Sequence, residues 1–373
     1  MTIGPMVGFA CNWDRRPEGT WSGTPWNLRA ALRERVDLAD LDVGPPVAAR
    51  ALLKVAGLRR AHGQWKSLWR HGALNKAWVE RTLSRLAAQS RADVVVEVQD
   101  LGRVPQPYLL VQDLSYGLLL RHFGADGVPH FRTLGERRIR RLHERQVTIY
   151  EHASMILPMS RWLAEDLVAS GVPAERVRVV NPGINVTVAP NAPVPERRRG
   201  QTRRLLFIGR DFDTKGGGQV VDAFRLLRAE LGPAIELTVM GPPHWPLPGP
   251  VPAGVDFRGP QTYPEVAKAL DAHDLFVMPS RFEGFGMAFA EALVRGLPCI
   301  GRDACAMPEI IDLRGGGRLV TSEDPGDLAD VITEALGDDG LYAACAAAAR
   351  RRRLHFTWER AADEVAEAIS GIG

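Results

Sequence analysis

LFVMPSRFEGFGMAFAEAL, residues 275–293, reads as a short buried strand, a glycine-bearing turn and the opening of a helix. The run Leu275–Met278 is apolar without alternation, as a strand covered on both faces of a parallel sheet should be. Glu283 then falls in the strand-to-helix loop, at the carboxyl edge where open α/β sheets bind ligands, while Glu291 lies more than a turn into the helix. Two such carboxylates can grip different parts of one extended ligand, each accepting paired hydrogen bonds from the vicinal hydroxyls of a ribose or a hexose. Gly284 and Gly286 leave backbone N–H groups free to face sugar or phosphate oxygens. Acidic residues eight apart are common by chance, so the pair gains its weight from what surrounds it.

The same rhythm of strand, turn and helix continues on both sides. Leu205–Ile208, Glu236–Met240, Val255–Arg258 and Pro298–Gly301 are short strand candidates, each followed by a turn and a helical pattern, which predicts a doubly wound sheet. Phe207-Ile208-Gly209-Arg210 ends the first of these strands, and Lys215-Gly216-Gly217-Gly218 precedes a helix bearing Val220, Val221, Phe224 and Leu227. Glycines admit close approach of a ligand, a helix start offers unpaired N–H groups, and Arg210 with Lys215 can bracket a diphosphate. The loop serves equally well as a plain helix entry. It lacks the GxxxxGK[ST] spacing of a P-loop, and no GxGxxG follows the first strand of either half. In the first half, Met6–Cys11, Val94–Val98, Tyr108–Gln112 and Met155–Met159 predict a second parallel sheet. VAPNAPVPERRRGQ, residues 188–201, has three prolines and no apolar period, so it is expected to be a linker. The domains expected are therefore 1–187, a linker at 188–201, 202–353, and a closing helix in 354–373 that returns toward the first domain.

Length and composition agree with two folded domains. A chain of 373 residues exceeds what one core organises, and 45% hydrophobic with 24% charged residues is a globular composition. No apolar run reaches bilayer-spanning length, and Met1–Asn12 has no basic segment followed by a hydrophobic one, so a cytoplasmic protein is expected. Four cysteines without a CxxC pair suggest neither a disulfide framework nor a zinc site. A net charge of +3 argues against nucleic acid as partner. Arg137, Arg138, Arg140, Arg141 and Arg145, and the run Arg350–Arg353, are either solvated helix faces or contacts to an anionic membrane surface or an anionic acceptor. Trp65, Leu68, Trp69, Leu74, Trp78, Val79, Leu83 and Leu86 recur near helical spacing, which fits a helix or helical hairpin packed on the sheet, or an acceptor- or membrane-facing surface. Only five of the 47 basic residues are lysines, which singles out Lys215 in a phosphate loop.

Glu283 and Glu291 in the setting EGFGMAFAEAL, with Arg210 and Lys215 about 70 residues upstream, resemble the E-x7-E signature and phosphate pair of the family 4 retaining glycosyltransferases. Ser160–Leu163 through Val177–Ile184, Pro308-Glu309-Ile310-Ile311, Phe356-Thr357-Trp358 and the loop Gly19–Pro25 resemble further segments of that family. The resemblance implies a GT-B fold, two Rossmann-like doubly wound domains facing across a cleft, the first binding acceptor and the second a nucleotide sugar. It implies that Arg210 and Lys215 neutralise the diphosphate leaving group, that Glu291 holds the ribose, and that Glu283 with the backbone of Gly284, Phe285, Gly286 and Met287 orients the transferred sugar. Gly23 would let the first domain meet the phosphates, and the nucleotide base would lie near Arg258, Gly259 and Pro260. The co-substrate implied is a uridine or guanosine diphosphate sugar, with no cofactor and no metal, and the acceptor is a small molecule, an oligosaccharide or a lipid.

The sequence also departs from the family pattern. Cys305-Ala306-Met307 replaces the usual diglycine before the Pro-Glu turn, and Asn185 stands where an acidic residue is usual. Many relatives place a histidine near the reacting sugar; among His122, His130, His143 and His152 the choice falls on His122, with an ordinary surface or packing role as its alternative. Asp113, at the end of the strand Tyr108–Gln112, is an acceptor contact or a carboxylate capping the next helix. Asp211-Phe212-Asp213 spells DxD inside the phosphate loop and is not expected to hold a metal. Asn185-Val186-Thr187 fits a glycosylation acceptor and is expected to be unmodified. A phosphorylase or sucrose-type enzyme on the same site, or a silent nucleotide-sugar-binding module, are the alternatives.

Overall fold

The computed structural model describes residues 5–61, 64–122, 134–197, 202–311 and 315–372, with side chains described outside 59–66. His130, residues 198–201 of the expected linker and the Trp65 side chain lie outside the described residues. Two compact units form: the first from the chain up to Gly183 and again from Trp358, the second from Ile184–Thr357.

The first unit runs β1 (Met6–Cys11), α1 (Thr24–Arg33), β2 (Asp37–Asp42), α2 (Val47–Ala56), β3 (Leu58–Ala61), β4 (Gln64–Ser67), α3 (Ala73–Ser90), β5 (Val94–Val98), β6 (Tyr108–Gln112), α4 (Tyr116–His122), α5 (Glu136–His152), β7 (Met155–Pro158) and α6 (Arg161–Ala169). Its sheet has the order β2-β1-β5-β6-β7, every pair parallel, while β3 and β4 form a separate antiparallel hairpin. All residues of β5 and β6 are buried, which explains their unalternating apolar sequences. Helix α3 buries Val79, Leu83 and Ala87 at helical spacing and turns Leu74 and Trp78 outward, so the tryptophan-rich stretch is divided between core and surface. Helix α5 turns Ile139, Leu142, Gln146, Ile149 and Tyr150 inward and leaves Arg137, Arg140 and Arg141 in solvent.

The second unit runs β8 (Arg203–Ile208), α7 (Gly217–Leu231), β9 (Ile235–Met240), β10 (Val255–Gly259), α8 (Tyr263–Ala272), β11 (Leu275–Val277), α9 (Met287–Leu293), β12 (Cys299–Arg302), α10 (Met307–Ile311), β13 (Gly317–Val320), α11 (Pro325–Gly337) and α12 (Asp339–His355). The strand order is β10-β9-β8-β11-β12-β13, all parallel. The chain therefore builds outward from β8 in one direction and from β11 in the other, and the boundary between those strands is a topological switch point. The final helix, α13 (Trp358–Ser370), returns to the first unit and packs on α1, with Arg35 paired to Asp363 at 2.5 Å and Arg178 to Glu367 at 2.5 Å.

The division of the chain differs from the expected one. The boundary falls at Gly183/Ile184, and residues 188–197 are part of the second unit instead of a free linker. Arginines tie that strap down: buried Arg353 donates to the carbonyls of Pro190 and Ala192, and Arg197 of the strap donates to the carbonyls of Leu270, His273 and Arg295. The run Arg350–Arg353 is thereby half interior, since Arg352 and Arg353 are 2% and 4% exposed and satisfy backbone carbonyls of their own unit. The second unit also continues to Thr357, past the expected end at residue 353.

Candidate functional site

The loop after β8 is folded tightly onto the end of β11. Gly216 has φ +76°, a region costly for other residues, and a Cβ there would lie 2.5 Å from the Pro279 carbonyl oxygen. The Thr214 carbonyl accepts the Arg281 N–H at 2.8 Å and the Ser280 hydroxyl at 3.2 Å, joining the two loops across the switch point. Lys215 and Glu283 are brought together as a result, Nζ to Oε2 at 2.5 Å, with side chains 25% and 11% exposed. Arg210, at the mouth of the same loop, is exposed and makes no hydrogen bond or ion pair with the described residues. Helix α7 begins at Gly217 with its first N–H groups beside these cations. The edge is completed by Gly259 at the end of β10, whose carbonyl accepts the Gly241 N–H at 2.8 Å.

Glu291 is 8% exposed on α9, and its Oε1 accepts the N–H groups of Asn185 and Val186, each at 3.3 Å. Burial pushes its carboxyl up to about 7, against the pull of those two bonds and of Arg295. Tyr263, at the start of α8, is half exposed; burial and then the nearby Glu291 charge raise its phenol, while the Asn185 side chain and Arg210 act the other way. Arg210, Tyr263, Asn185 and Glu291 thus share one electrostatic neighbourhood. Within the turn expected to meet a sugar, Gly286 has φ +92° and precedes α9, and Gly284 and Met287 are half-buried. Phe285 is buried with its ring against Phe356 at 6.0 Å, so that residue offers only its backbone. Asp211 of the DxD triplet accepts the Thr214 hydroxyl at 2.9 Å and shapes the loop from within.

The first unit has its own cavity, about 400 Å³, at the carboxyl ends of β1, β5 and β6. Asp113 stands in its wall, its two oxygens taking Trp21 Nε1 at 3.0 Å and Gln99 Nε2 at 2.9 Å. The capping alternative for Asp113 is replaced by Ser115, whose hydroxyl accepts the Leu118 N–H of α4 at 3.0 Å. Trp21, Ser22 and Gln99 all hold left-handed backbone, strain of a kind that clusters at ligand sites. Gly23 follows at φ +83°, opening α1. His122 does not line the cavity; its ring lies against Trp162 at 6.0 Å, and burial lowers its basicity. The histidine in the cavity wall is His71, 3.3 Å from the Tyr116 hydroxyl, next to Lys76, which is paired to Asp100 at 3.2 Å. A basic groove of about 730 Å³ shares His71 and Lys76 and adds Arg137, Arg138, Arg141 and Arg145.

Residues 190–352 match the family glycosyl transferases group 1. That segment lies within the second unit and contains Arg210, Lys215, Glu283 and Glu291. A D-inositol 3-phosphate glycosyltransferase of Jonesia denitrificans is 30% identical over 62% of this chain and 59% of its own length. The chain spans 50% and 53% of two further curated glycosyltransferases that it matches. Among solved structures, sucrose-phosphate synthase from Thermosynechococcus elongatus superposes with TM-score 0.67 at 16% identity, covering 99% of both chains. Anabaena HepE, solved with UDP and glucose, gives TM-score 0.65 at 16% identity over 98% of this chain and 99% of that one. At that identity the likeness is one of fold, and the fold is GT-B.

Of the positions singled out from sequence, the structure brings Arg210, Lys215, Gly259, Glu283, Gly284, Gly286 and Glu291 to the carboxyl edge of one sheet. His71, Asn185 and Tyr263 were not chosen as site residues, because each joins through tertiary contact instead of a local motif. The one available signal for His71 was its place among the tryptophans and cations just before α3.

Proposed function

We propose that this chain is a retaining glycosyltransferase that moves a hexose-type sugar from a nucleoside diphosphate donor to a hydroxyl of an acceptor bound by the first unit. The observation that carries this reading is the meeting of Lys215 and Glu283 at the switch point, beside an uncommitted Arg210. A diphosphate at that edge would draw Lys215 from Glu283 and take Arg210 and the N–H groups of α7, while the freed carboxylate turns to sugar hydroxyls. Glu291 would hold the ribose hydroxyls. As the bond from the anomeric carbon to the β-phosphate breaks, charge builds on the leaving diphosphate where fixed cations already stand. The new bond forms from the acceptor oxygen on the same face, and the acceptor proton passes to the departing phosphate oxygen. With those cations in place the proposal includes no metal.

The HepE structures, solved with UDP and with UDP-glucose, support a uridine diphosphate sugar as donor. The Jonesia relative's name supports an acceptor carrying hydroxyls and a phosphate, and the groove of Arg137, Arg138 and Arg141 beside the cavity suits such an anion. The test is incubation with UDP and GDP sugars, following nucleotide release and the configuration of the released or transferred sugar. Release with retention, reduced at least about a hundredfold in Lys215→Ala, is expected. Inversion, or release indifferent to Lys215→Ala, would contradict the reading.

A further inference from the structure

Left-handed backbone is costly outside glycine, and in the described part of the first unit it occurs at Trp21, Ser22, Arg91 and Gln99, with φ of 45°, 56°, 56° and 69°. Arg91 closes α3, where such a conformation is ordinary. The other three gather at one place: Trp21 and Gln99 line the cavity at the carboxyl ends of β1, β5 and β6, and Ser22 follows Trp21. They belong to two loops far apart in sequence, one before α1 and one after β5. Conformations of this kind persist only where the surrounding contacts hold them.

Each loop has backbone ties of its own. Thr20 Oγ1 accepts the Asp14 N–H at 2.8 Å, and Glu97, wholly buried, accepts the N–H groups of Leu101 and Gly102 through Oε2 at 3.0 and 3.2 Å. Asp113 joins the two loops through their side chains: one oxygen accepts the indole N–H of Trp21 and the other the amide N–H of Gln99. It directly follows β6, an inner strand whose every residue is buried, so the carboxylate that links the strained loops is mounted on the firm centre of the sheet.

On the reading of the first-unit cavity as the acceptor site, we propose that Asp113 is a positioning residue: its carboxylate holds Trp21 and Gln99, through them presets the cavity wall, and takes no proton from the acceptor. The two donors differ in a way that separates this role from a direct one. An indole N–H can only donate, whereas a glutamine amide can turn and offer its oxygen. In Asp113→Asn the new amide oxygen therefore faces Trp21 and the new amide N–H faces a turned Gln99, so both links survive the loss of the charge. In Asp113→Leu both links are lost. A carboxylate acting as base on an acceptor hydroxyl would fail in both variants alike.

The test is hydrogen–deuterium exchange of the full chain, combined with nucleotide release from whichever UDP or GDP sugar the wild type cleaves, water serving as acceptor. Asp113→Leu is expected to speed exchange by roughly tenfold or more in peptides covering 19–24 and 98–102, and to slow release by roughly tenfold or more. Asp113→Asn is expected to recover both to within about threefold of the wild type. Trp21→Phe, which removes one link and keeps Asp113, should speed exchange of 19–24 alone. Peptides covering 155–169, in the same unit, should exchange alike in every protein, which checks that the variants fold. Unchanged exchange in Asp113→Leu or in Trp21→Phe overturns the proposal, as does unchanged release in Asp113→Leu. So does release lost in Asp113→Asn while exchange stays protected, since the carboxylate then acts on the reactants directly. A wild type that cleaves no nucleotide sugar contradicts the transferase reading, and exchange alone then decides the role of Asp113.

Discussion

Glu291 combines two demands that oppose each other, a buried position and a negative charge. Desolvation raises its carboxyl to about 7 from an ordinary 4.5, so between those values the folded protein holds a proton that the unfolded chain releases. Its contribution to stability is therefore largest at low pH and declines as pH rises toward 7, by roughly 3 kcal/mol across the window. Urea unfolding at about pH 5 and about pH 8 should show a smaller fall in Glu291→Gln than in the wild type. If Glu291 holds a ribose as proposed, donor affinity should run the other way, since an ionised carboxylate accepts hydroxyls better and forms as pH passes through about 7. At this scale Arg210, Lys215, Glu283 and Glu291 were legible because each sits at a fixed short distance from a strand end or helix start. His71 and Tyr263 were not, because nothing in their immediate neighbours distinguishes them from packing residues, and the histidines weighed, His122, His130, His143 and His152, did not include His71.

The elements that position the site are a loop and two strand ends, and their geometry depends on one glycine more than on any charged residue. Gly216→Ala would place a methyl group against the Pro279 carbonyl in a left-handed backbone position, displacing the start of α7. A loss of about 2 kcal/mol or more in urea unfolding is expected, together with weaker nucleotide binding. The same substitution at Gly218, whose Cβ would meet nothing within 4 Å, should leave both nearly unchanged. The inner strands were readable as unalternating apolar runs because every residue of β5, β6 and β11 is buried, whereas β2, which buries only one residue, gave no such run. The strap 188–197 was misread as a linker because its hydrogen-bond partners, Arg353 and the carbonyls that Arg197 reaches, lie far along the chain. Helix α2 escaped notice for a related reason, since a helix that buries nothing leaves no inward stripe to find.

At the scale of the whole chain, the first unit is assembled from both ends of the sequence. Helix α13 covers α1, and Arg360 donates to the Asn181 carbonyl. Deleting 358–373 should lower the melting temperature of the first unit and expose apolar surface to a fluorescent dye. Nucleotide binding should survive, because Ile184–Thr357 forms its own compact unit. Calorimetry with UDP added before and after truncation checks both halves of that statement. Loss of nucleotide binding on truncation would mean that the donor site is not contained in the second unit.

On the proposed function, the carboxyl edge of β8 and β11 holds a nucleoside diphosphate. Isothermal titration of the full chain with UDP and with GDP, repeated with Arg210→Ala, Lys215→Ala and Glu291→Ala, tests it most directly. One nucleotide is expected to bind the wild type, and each substitution to weaken that binding by roughly tenfold or more. Binding that is indifferent to all three substitutions, or no binding of either nucleotide at millimolar concentration, would contradict it.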